Sequence, residues 1–508
     1  MKMNHSNSMA KAIMFLGTGS DVGKSIVAAA MCRILRRRGY RVAPFKAQNM
    51  SNNSYVTLEG GEIGRAQVVQ AEAAGLVPSV HMNPVLLKPS GGQGAQVVVQ
   101  GKVLCHMDAM EYHNRKSMLV KAVKESYDIL SREYDVIVME GAGSCCEMNL
   151  KKNDIVNYRM AILANASCVI VGDIDRGGIF AQLIGTHCLL SGKEREITSG
   201  FIINKFRGDK RLFDSGVTYI EEKTSLPVFG VVPFYNDIRI DPEDSVSVQK
   251  DRRALKPTGK DTVNIAVIKL PAISNFTDLE IFESEPDVVV NFLFHPDEMS
   301  MSYDCLIIPG TKNAMEDALW MQQTEWSGKV REFYLKGGRV IGICGGYQLL
   351  GRVIHDRLGV ESARKEVEGI GLLPVATELA GDKVVRKVTG VCLVNEKDVE
   401  GYEIHMGRTQ PVSDKGMPFL RLYTSRRDNG WNDGWIMEDL RVAGTYLHGL
   451  FDSPGFREAF LNRIREEKGL QMRHSEGERA ARFREYDRLA DHFEAHCDID
   501  RMIYGLHL

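Results

Sequence analysis

Residues 338–351 read GRVIGICGGYQLLG, in which a short apolar run leads into Cys344, then Gly345 and Gly346, and then an apolar pattern of helical spacing. This order predicts a strand, a sharp turn that carries the cysteine, and a helix. Glycines suit such a turn because it brings backbone against backbone, where a β-carbon would clash. The amino end of a helix also favours the thiolate form of a cysteine. The stretch therefore predicts an α/β domain with a nucleophilic thiol at Cys344 rather than a buried structural cysteine.

The composition is that of an ordinary globular protein. A length of 508 residues predicts several domains, at ~150 residues per domain. Apolar residues make up 44% and charged residues 26%, and a net charge of −2 gives no overall attraction to nucleic acid or to anionic membranes. The ten cysteines contain no CxxC pair, which disfavours a zinc site and a disulfide framework. Because the amino end is polar and no segment approaches roughly 20 consecutive apolar residues, we expect a cytoplasmic protein that binds neither nucleic acid nor membranes.

A second motif, near the amino end, predicts a phosphate-binding loop. The apolar residues 12–16 precede GTGSDVGKS at residues 17–25, and a helical pattern follows. Strand, glycine-rich turn and helix form the setting in which backbone N–H groups cradle phosphates. Lys24 is then expected to neutralise phosphate charge and Ser25 to bind Mg²⁺ through its hydroxyl. The loop resembles that of dethiobiotin synthetase and its relatives, because Thr18 stands where a common phosphate loop has its first glycine.

Other predicted strands of this half end in polar or charged residues. The strand at residues 42–45 leads into KAQNMSNNS at 46–54, which is compatible with a polar ligand surface or with a solvated loop. Glu140 follows a buried strand, where a carboxylate could organise Mg²⁺; Arg176 could clamp a phosphate or a substrate carboxylate, and Asn204 could recognise a base. Because the carboxyl ends of parallel strands meet at one edge, the pattern predicts a doubly wound, mostly parallel sheet with its ligands at that edge.

The apolar periodicity is lost between about residues 236 and 262, where charged and polar residues dominate. We therefore expect a phosphate-loop domain at residues 1–240, a linker at 241–262 and a second α/β domain at 263–455. The remaining residues, 456–508, are charged with helical spacing and predict a helical appendage. Nothing in the sequence sets the oligomeric state.

A nucleophilic cysteine needs an imidazole within hydrogen-bonding reach, from a residue distant in sequence. His405 and His448 both follow strand-like runs downstream of the cysteine, and their local chemistry leaves both open. The turn at Gly310, together with the backbone N–H of Gly345, is expected to supply donors for an oxyanion.

These motifs together identify a resemblance to the cobyric acid synthase family, the glutamine-hydrolysing amidases of the cobalamin pathway, along essentially the whole chain. The segments that carry it are 17–25, 46–53, 175–178, 204–208, 273–278, the Cys344 turn, 401–405 and 444–449. The resemblance implies a class I-like glutamine amidotransferase domain with Cys344 as nucleophile and His448 as base. The wider class I pattern has Glu two residues after the histidine, but Leu450 stands there. Either a Cys-His pair suffices, or another group orients His448; Asp452 is not assigned.

The resemblance also implies an ATP-dependent amidoligase in the amino-terminal half. The expected ATP-binding residues are Gly17, Thr18, Asp21, Val22, Gly23, Lys24, Ser25 and Asn204. The expected substrate-binding residues are Lys46, Gln48, Asn49, Asn52, Asn53 and Arg176. Ser25 and Glu140 are the expected Mg²⁺ ligands.

The implied reaction amidates the b, d, e and g carboxylates of adenosylcobyrinic acid a,c-diamide, through an acyl phosphate and ammonia released from glutamine. Another glutamine-dependent ligase, such as cobyrinic acid a,c-diamide synthase, is the nearest alternative. A partitioning ATPase with a related loop is disfavoured, because Gly19 stands where such proteins carry a signature lysine.

Overall fold

The computed structural model describes residues 9–89, 94–108, 116–235, 237–240, 255–256, 258–425 and 428–506. Most of the predicted linker, namely residues 241–254 and 257, lies outside these ranges, as do residues 1–8 of the polar amino end. Within the described ranges, no helix combines the length and the apolar character needed to cross a membrane.

The helices and strands alternate through both predicted domains. The α-helices of the described residues are α1 Lys24–Arg37, α2 Arg65–Ala73, α3 Lys116–Glu133, α4 Tyr158–Ala164, α5 Ile179–Leu189, α6 Gly192–Glu196, α7 Asp214–Thr224, α8 Ala314–Gln323, α9 Trp326–Leu335, α10 Gly345–Leu350, α11 Pro454–Glu467, α12 Glu478–His496 and α13 Ile499–Tyr504. Short 3₁₀ segments lie at Val80–Met82, Lys151–Asn153, Lys210–Phe213, Phe276–Ser284, Pro296–Glu298 and Leu450–Asp452.

The strands form three larger sheets and two smaller ones. They are β1 Lys11–Gly17, β2 Val42–Phe45, β3 Gln48–Met50, β4 Ser54–Val56, β5 Glu62–Gly64, β6 Val85–Pro89, β7 Gly94–Val99, β8 Lys102–Asp108, β9 Val136–Glu140, β10 Ser167–Asp173, β11 Thr198–Phe206, β12 Val228–Pro233, β13 Val263–Ile268, β14 Val288–Leu293, β15 Cys305–Ile308, β16 Arg339–Ile343, β17 Val353–His355, β18 Glu366–Glu368, β19 Val375–Cys392, β20 Asp398–Pro411, β21 Leu420–Tyr423, β22 Trp431–Asp433, β23 Trp435–Ile436 and β24 Val442–Thr445.

The amino-terminal sheet is parallel and is covered on both faces. Its order is β12-β11-β10-β1-β9-β2. Side chains along β1 alternate between two cores: Ile13 and Phe15 pack with α1 and α12, whereas Met14 and Leu16 pack in the core that contains α3 and α4. Burial on both faces explains why these strands read as continuous apolar runs. The sheet places the carboxyl ends of β1, β9, β10 and β11 along one edge, as the sequence predicts.

The carboxyl-terminal domain contains a second parallel sheet, ordered β14-β13-β15-β16-β24, with β23 antiparallel at its edge. The strands β16 and β24 are neighbours, and Ile343 is paired with Thr445. The turn after β16 and the loop after β24 therefore emerge side by side. This topology brings Cys344 close to His448, although about a hundred residues separate them in the chain.

A third, mainly antiparallel sheet is not evident from the residue pattern. Its longest strands, β19 and β20, pair over most of their lengths and mix buried, half-buried and exposed positions. Strands with such mixed burial do not contain the continuous run of apolar residues that marks a fully buried strand. The pair projects toward the amino-terminal domain, where Lys383 forms an ion pair with Glu62 at 2.5 Å. Tyr402 of β20 also donates a hydrogen bond to the Ser54 carbonyl at 3.3 Å.

The carboxyl-terminal helices divide between the two domains. The helix α11 packs on the second domain, where the fully buried Arg457 donates a hydrogen bond to Glu285 at 2.9 Å. The helix α12 returns to the first domain and lies along α1, with Arg33 and Asp487 in a two-bond ion pair at 2.8 and 2.9 Å. The end of the chain therefore links the second domain to the helix that follows the phosphate loop.

Candidate active sites

Cys344 occupies the predicted turn between β16 and α10. Its φ and ψ of 53° and −108° are unusual for a residue with a side chain. A β-carbon on Gly346 would overlap the Ile308 carbonyl, and one on Gly345 would overlap the Thr311 side chain. The two glycines are thus required by the packing of α10 against the loop after β15. The buried thiol lies 3.4 Å from the Ile404 carbonyl oxygen.

His448 lies beyond the end of β24 and is held by a carboxylate. Its Nδ1 is 2.7 Å from Asp278 Oδ2, and the other oxygen of Asp278 accepts a hydrogen bond from Gly449 N at 3.0 Å. An Nδ1–H that donates to Asp278 leaves Nε2 as the proton-accepting nitrogen. Asp278 was missed by sequence reasoning, although it ends one of the segments that carry the family resemblance. Leu450 is fully buried in the apolar core.

The surroundings of His448 favour its charged form. Burial opposes a positive charge on the ring, but the carboxylate of Asp278 and the thiolate of Cys344 outweigh this effect and raise the pKa of His448 to about 10. His448 is thus suited to hold the proton that Cys344 gives up when it attacks. A thiolate is the attacking form of cysteine.

His405, the other candidate, has a different environment. Its Nδ1 lies 2.8 Å from the Gly407 carbonyl oxygen, and its ring stacks on Tyr446 with centroids 3.8 Å apart. Its Nε2 lies 3.7 Å from a carboxylate oxygen of Glu403. These contacts are those of a structural histidine that packs β20 against the core. The geometry thus favours His448 as the partner of Cys344.

The two residues predicted to supply oxyanion donors lie beside this pair. A β-carbon on Gly310 would stand 3.1 Å from His448 Cε1 and 3.0 Å from the Ser274 carbonyl oxygen. A β-carbon on Gly345 would stand 2.9 Å from Thr311 N. The Gly310–Thr311 turn and the first residue of α10 therefore enclose the space next to the thiol, where backbone N–H groups can meet an oxyanion.

The phosphate loop wraps around the amino group of Lys24. Lys24 Nζ donates hydrogen bonds to the carbonyls of Gly19 at 2.8 Å and Gly143 at 3.0 Å. Asp21 and Gly23 have positive φ values of 59° and 99°. Such a loop aims successive N–H groups into one concavity, as anion-binding loops do. A β-carbon on Gly17 would stand 2.9 Å from Lys24 Nζ.

Polar side chains from neighbouring strands brace this loop. Asn204 Nδ2 donates to the Val22 carbonyl at 2.9 Å, and a β-carbon on Gly23 would overlap the same amide. Thr18 Oγ1 donates to Gln182 Oε1 at 3.1 Å. The half-exposed Arg176 donates to Asp21 Oδ2 at 3.1 Å, so it lies at the rim of the loop. The structure thus brings all of the predicted ATP-binding residues together with Arg176.

Glu140, at the end of β9, is the centre of a buried polar cluster. Its Oε1 accepts hydrogen bonds from Ser25 Oγ at 2.8 Å and Lys46 Nζ at 2.9 Å, and its Oε2 accepts one from Gln70 Nε2 at 2.7 Å. Within the described ranges, no group of three or more His, Cys, Asp or Glu side chains is arranged to hold a metal. The oxygens of Ser25 and Glu140 nonetheless fit Mg²⁺, which takes few protein ligands when phosphates and waters supply the rest.

The amide-rich segment lies beside this cluster. Asn49 and Asn53 are buried, and Asn49 Nδ2 donates to Gln67 Oε1 at 3.0 Å. Gln48 is half-buried at the start of β3. Among the described residues, Asn52 Oδ1, Gln67 Nε2 and Gln70 Oε1 are buried without a hydrogen-bond partner. Buried polar atoms without a partner in this region are consistent with a place that meets a polar ligand. Gln67 and Gln70 lie on α2 and were missed, because an amide inside a helical pattern carries no local signal.

Known protein families match both halves of the chain. Residues 13–248 match the CobQ/CobB/MinD/ParA nucleotide binding domain, and residues 264–456 match the CobB/CobQ-like glutamine amidotransferase domain. These matches confirm the predicted fold class, a phosphate-loop parallel sheet followed by a glutamine amidotransferase α/β domain.

Relatives from several bacteria are similar over nearly the full length. The chain is 48% identical to the cobyric acid synthase of Syntrophobacter fumaroxidans, over 98% of this chain and 99% of that one. It is 45% identical to the cobyric acid synthase of Pelodictyon phaeoclathratiforme, over 97% of each chain. It is 47% identical to that of Carboxydothermus hydrogenoformans, over 91% of this chain and 92% of the relative. The chain therefore belongs to the cobyric acid synthase family.

Proposed function

We propose that the protein amidates the b, d, e and g carboxylates of adenosylcobyrinic acid a,c-diamide to form cobyric acid, with ATP and glutamine as co-substrates. The observation that carries the proposal is the presence of two separate polar sites in one chain of this family. One surrounds Lys24 and Glu140, and the other contains Cys344, His448 and Asp278. The first is suited to phosphoryl transfer and the second to the release of ammonia.

In the glutaminase site, Cys344 Sγ attacks the side-chain amide carbon of glutamine. His448 Nε2 takes the thiol proton and returns it to the departing ammonia, which leaves a thioester that water hydrolyses to glutamate. Asp278 holds the ring through Nδ1 and stabilises its positive charge. The backbone N–H groups at Gly310 and Gly345 are proposed to stabilise the tetrahedral oxyanion.

In the synthetase site, a carboxylate cannot be amidated directly, because oxide is too poor a leaving group. The γ-phosphoryl group of ATP therefore converts it to an acyl phosphate, and ammonia then displaces phosphate. Lys24 offsets the negative charge of the transferred group, and the N–H groups of the phosphate loop hold the remaining phosphates. Ser25 and Glu140 would hold Mg²⁺, which neutralises charge on the phosphates when bound.

The remaining assignments concern the corrinoid and the base of ATP. Lys46, Gln48, Asn49, Asn52, Asn53 and Arg176 are proposed to contact the carboxylates and amides around the corrinoid, and Asn204 the base. The corrinoid assignment is supported by three buried amide atoms that have no hydrogen-bond partner among the described residues, namely Asn52 Oδ1, Gln67 Nε2 and Gln70 Oε1. The ten cysteines are free thiols, which suits the reducing cytoplasm.

The substrate is tested by supplying two corrinoids separately, each with ATP, Mg²⁺ and glutamine, and following product mass. With adenosylcobyrinic acid a,c-diamide, we expect the product mass to show four amidations. With cobyrinic acid, we expect no amidation of the a and c carboxylates. Formation of the a,c-diamide from cobyrinic acid, with the diamide itself left unchanged, would instead indicate the diamide synthase.

Replacing Asp278 tests the assignment of His448. In Asp278→Asn, the amide no longer stabilises the imidazolium and can select the wrong tautomer. We expect glutamine hydrolysis to fall by about 10⁴-fold in kcat, the loss known for the equivalent change in a serine-protease triad. Steady-state release of glutamate measures the effect.

Asp452→Asn is the matched control, because Asp452 lies near Gly449, whereas the carboxylate at His448 Nδ1 is that of Asp278. We expect its glutamine hydrolysis to stay within about threefold of wild type, as for a change that breaks no catalytic contact. Equal losses in both variants would argue that Asp278 has no special role.

A further inference from the structure

The side chain of Asn275 connects the interface between the domains to His448, the proposed general base. Asn275 precedes the 3₁₀ segment Phe276–Ser284 and is buried between the domains. Its Oδ1 accepts a hydrogen bond from Ser54 N at 3.0 Å, and its Nδ2 lies 3.3 Å from His448 Nε2. Ser54 is the last residue of the amide-rich segment 46–54. Asn275 therefore joins the proposed corrinoid-binding segment to His448.

The orientation of the Asn275 amide follows from its partners. A backbone N–H can only donate, so the amide oxygen must face Ser54, and the amide nitrogen, also a donor, must face His448. Since Nδ1 of His448 is bound to Asp278, Nε2 is the atom that takes the thiol proton. A donor aimed at Nε2 stabilises this atom without a proton, so Asn275 acts against the carboxylate of Asp278, which favours the imidazolium. In this arrangement Asn275 opposes activation of Cys344.

Ser54 and Tyr55 of the first domain also contact Tyr402 of β20, whose ring lies on the face of the His448 ring. Tyr402 stacks on His448 with centroids 5.3 Å apart and an interplanar angle of 19°. The Tyr402 hydroxyl donates to the Ser54 carbonyl at 3.3 Å, and Tyr55 packs edge-on against the Tyr402 ring at 5.0 Å. A displacement of Ser54 and Tyr55 would therefore act on His448 at its edge, through Asn275, and at its face.

Buried charges hold Ser54 in this position. Its hydroxyl donates to Glu62 at 2.7 Å and accepts a hydrogen bond from Lys88 at 2.8 Å. Glu62 is also paired with Lys383 from the hairpin β19–β20 of the second domain. The position of Ser54 thus depends on both domains, and a ligand that draws the segment 46–54 toward the phosphate loop would change it.

We propose that Asn275 is a positioning residue that restrains His448 until the segment 46–54 binds the corrinoid. The inference rests on the proposed function for the identity of that ligand. Movement of Ser54 releases the amide oxygen, so Asn275 can turn and present an acceptor to protonated Nε2. Glutamine is then cleaved when an acceptor for ammonia is in place and is spared at other times.

Asn275→Gly tests this role. Glycine tolerates the left-handed backbone of this position, with φ 50° and ψ 37°, and removes both hydrogen bonds. We expect glutamine hydrolysis without ATP and corrinoid to rise about fivefold in kcat, the effect of losing one ordinary hydrogen bond, while KM for glutamine is unchanged. Stimulation by ATP plus adenosylcobyrinic acid a,c-diamide should shrink toward none. Amidation from added ammonium should persist.

Asn165→Gly is the control for the substitution itself, because Asn165 has a similar backbone, φ 48° and ψ 44°, at the end of α4. Should Asn275→Gly melt well below wild type, Asn275→Asp, which keeps the acceptor for Ser54 N and lacks the donor, should give the same rise. An unchanged or lower rate without corrinoid, with stimulation as in wild type, would overturn the proposal. A wild-type enzyme that amidates no corrinoid would contradict only the proposed function, because the comparison without corrinoid needs glutamine alone.

Discussion

Cys344→Ala is expected to lose glutamine-dependent amidation and to keep amidation from added ammonium. Without the thiol there is no nucleophile for the glutamine amide, so glutamate release should fall on the order of 10⁴-fold or more, as for loss of the nucleophile in other covalent enzymes. Alanine keeps the β-carbon and therefore adds no new strain at φ 53°. The phosphate loop lies in the other domain, so ammonia supplied from solution can still reach the acyl phosphate. Paired assays of corrinoid mass with glutamine and with ammonium chloride measure both outcomes.

Cys188→Ala provides the matched control, because Cys188 is an exposed free thiol near the end of α5. It should retain both activities. If Cys344→Ala lost ammonium-dependent amidation as well, with an unchanged melting temperature, the assignment of two chemically separate sites would be wrong.

Lys24→Met is expected to lose amidation from either nitrogen source and to keep glutamine hydrolysis. Lys24 is the cation that lies within the phosphate loop, and its removal leaves the transferred phosphoryl charge without that partner. We expect amidation from both glutamine and ammonium to fall on the order of 10³-fold, the usual cost of losing one charged group that stabilises phosphoryl transfer. Glutamine hydrolysis at Cys344 should survive, since Cys344, His448 and Asp278 lie in the second domain and the loop lies in the first. Corrinoid mass and glutamate release, assayed on the same sample, separate the two activities.

Lys193→Met, at an exposed position of α6, controls for the loss of a lysine in the same domain. Its amidation should equal that of wild type. Near-normal amidation by Lys24→Met would show that Lys24 is not needed for the reaction and would contradict the assignment of the phosphate loop as the synthetase site.

The features predicted well from sequence are those encoded by neighbouring residues. The strand, turn and helix around Cys344 are marked by an apolar run and two glycines that the packing requires. The phosphate loop is similar, because its strand, its glycines and Lys24 are consecutive. Buried parallel strands such as Val228–Pro233 also read directly as apolar runs. In each case the physical constraint acts within a dozen residues.

The features that escaped prediction depend on contacts between distant segments. Asp278 holds His448 from 170 residues away, and an aspartate in the segment 273–278 has no local property that marks it. Gln70 bonds to Glu140 from within a helix, where a glutamine is an ordinary residue. Asn275 acquires its role only when the two domains meet at Ser54. Local periodicity reports which face of an element is buried, but it does not report what that face contacts.

Transfer of nitrogen between the two sites is tested most directly by isotope. The enzyme is incubated with adenosylcobyrinic acid a,c-diamide, ATP, Mg²⁺ and glutamine labelled with ¹⁵N at the side-chain amide, in unlabelled buffer, and the corrinoid product is weighed by mass spectrometry. If Cys344 supplies the ammonia that is used beside Lys24, each of the four new amides carries ¹⁵N. An amidated corrinoid without the label, or labelled ammonia released with no amidated corrinoid, would contradict the proposed coupling of the two sites.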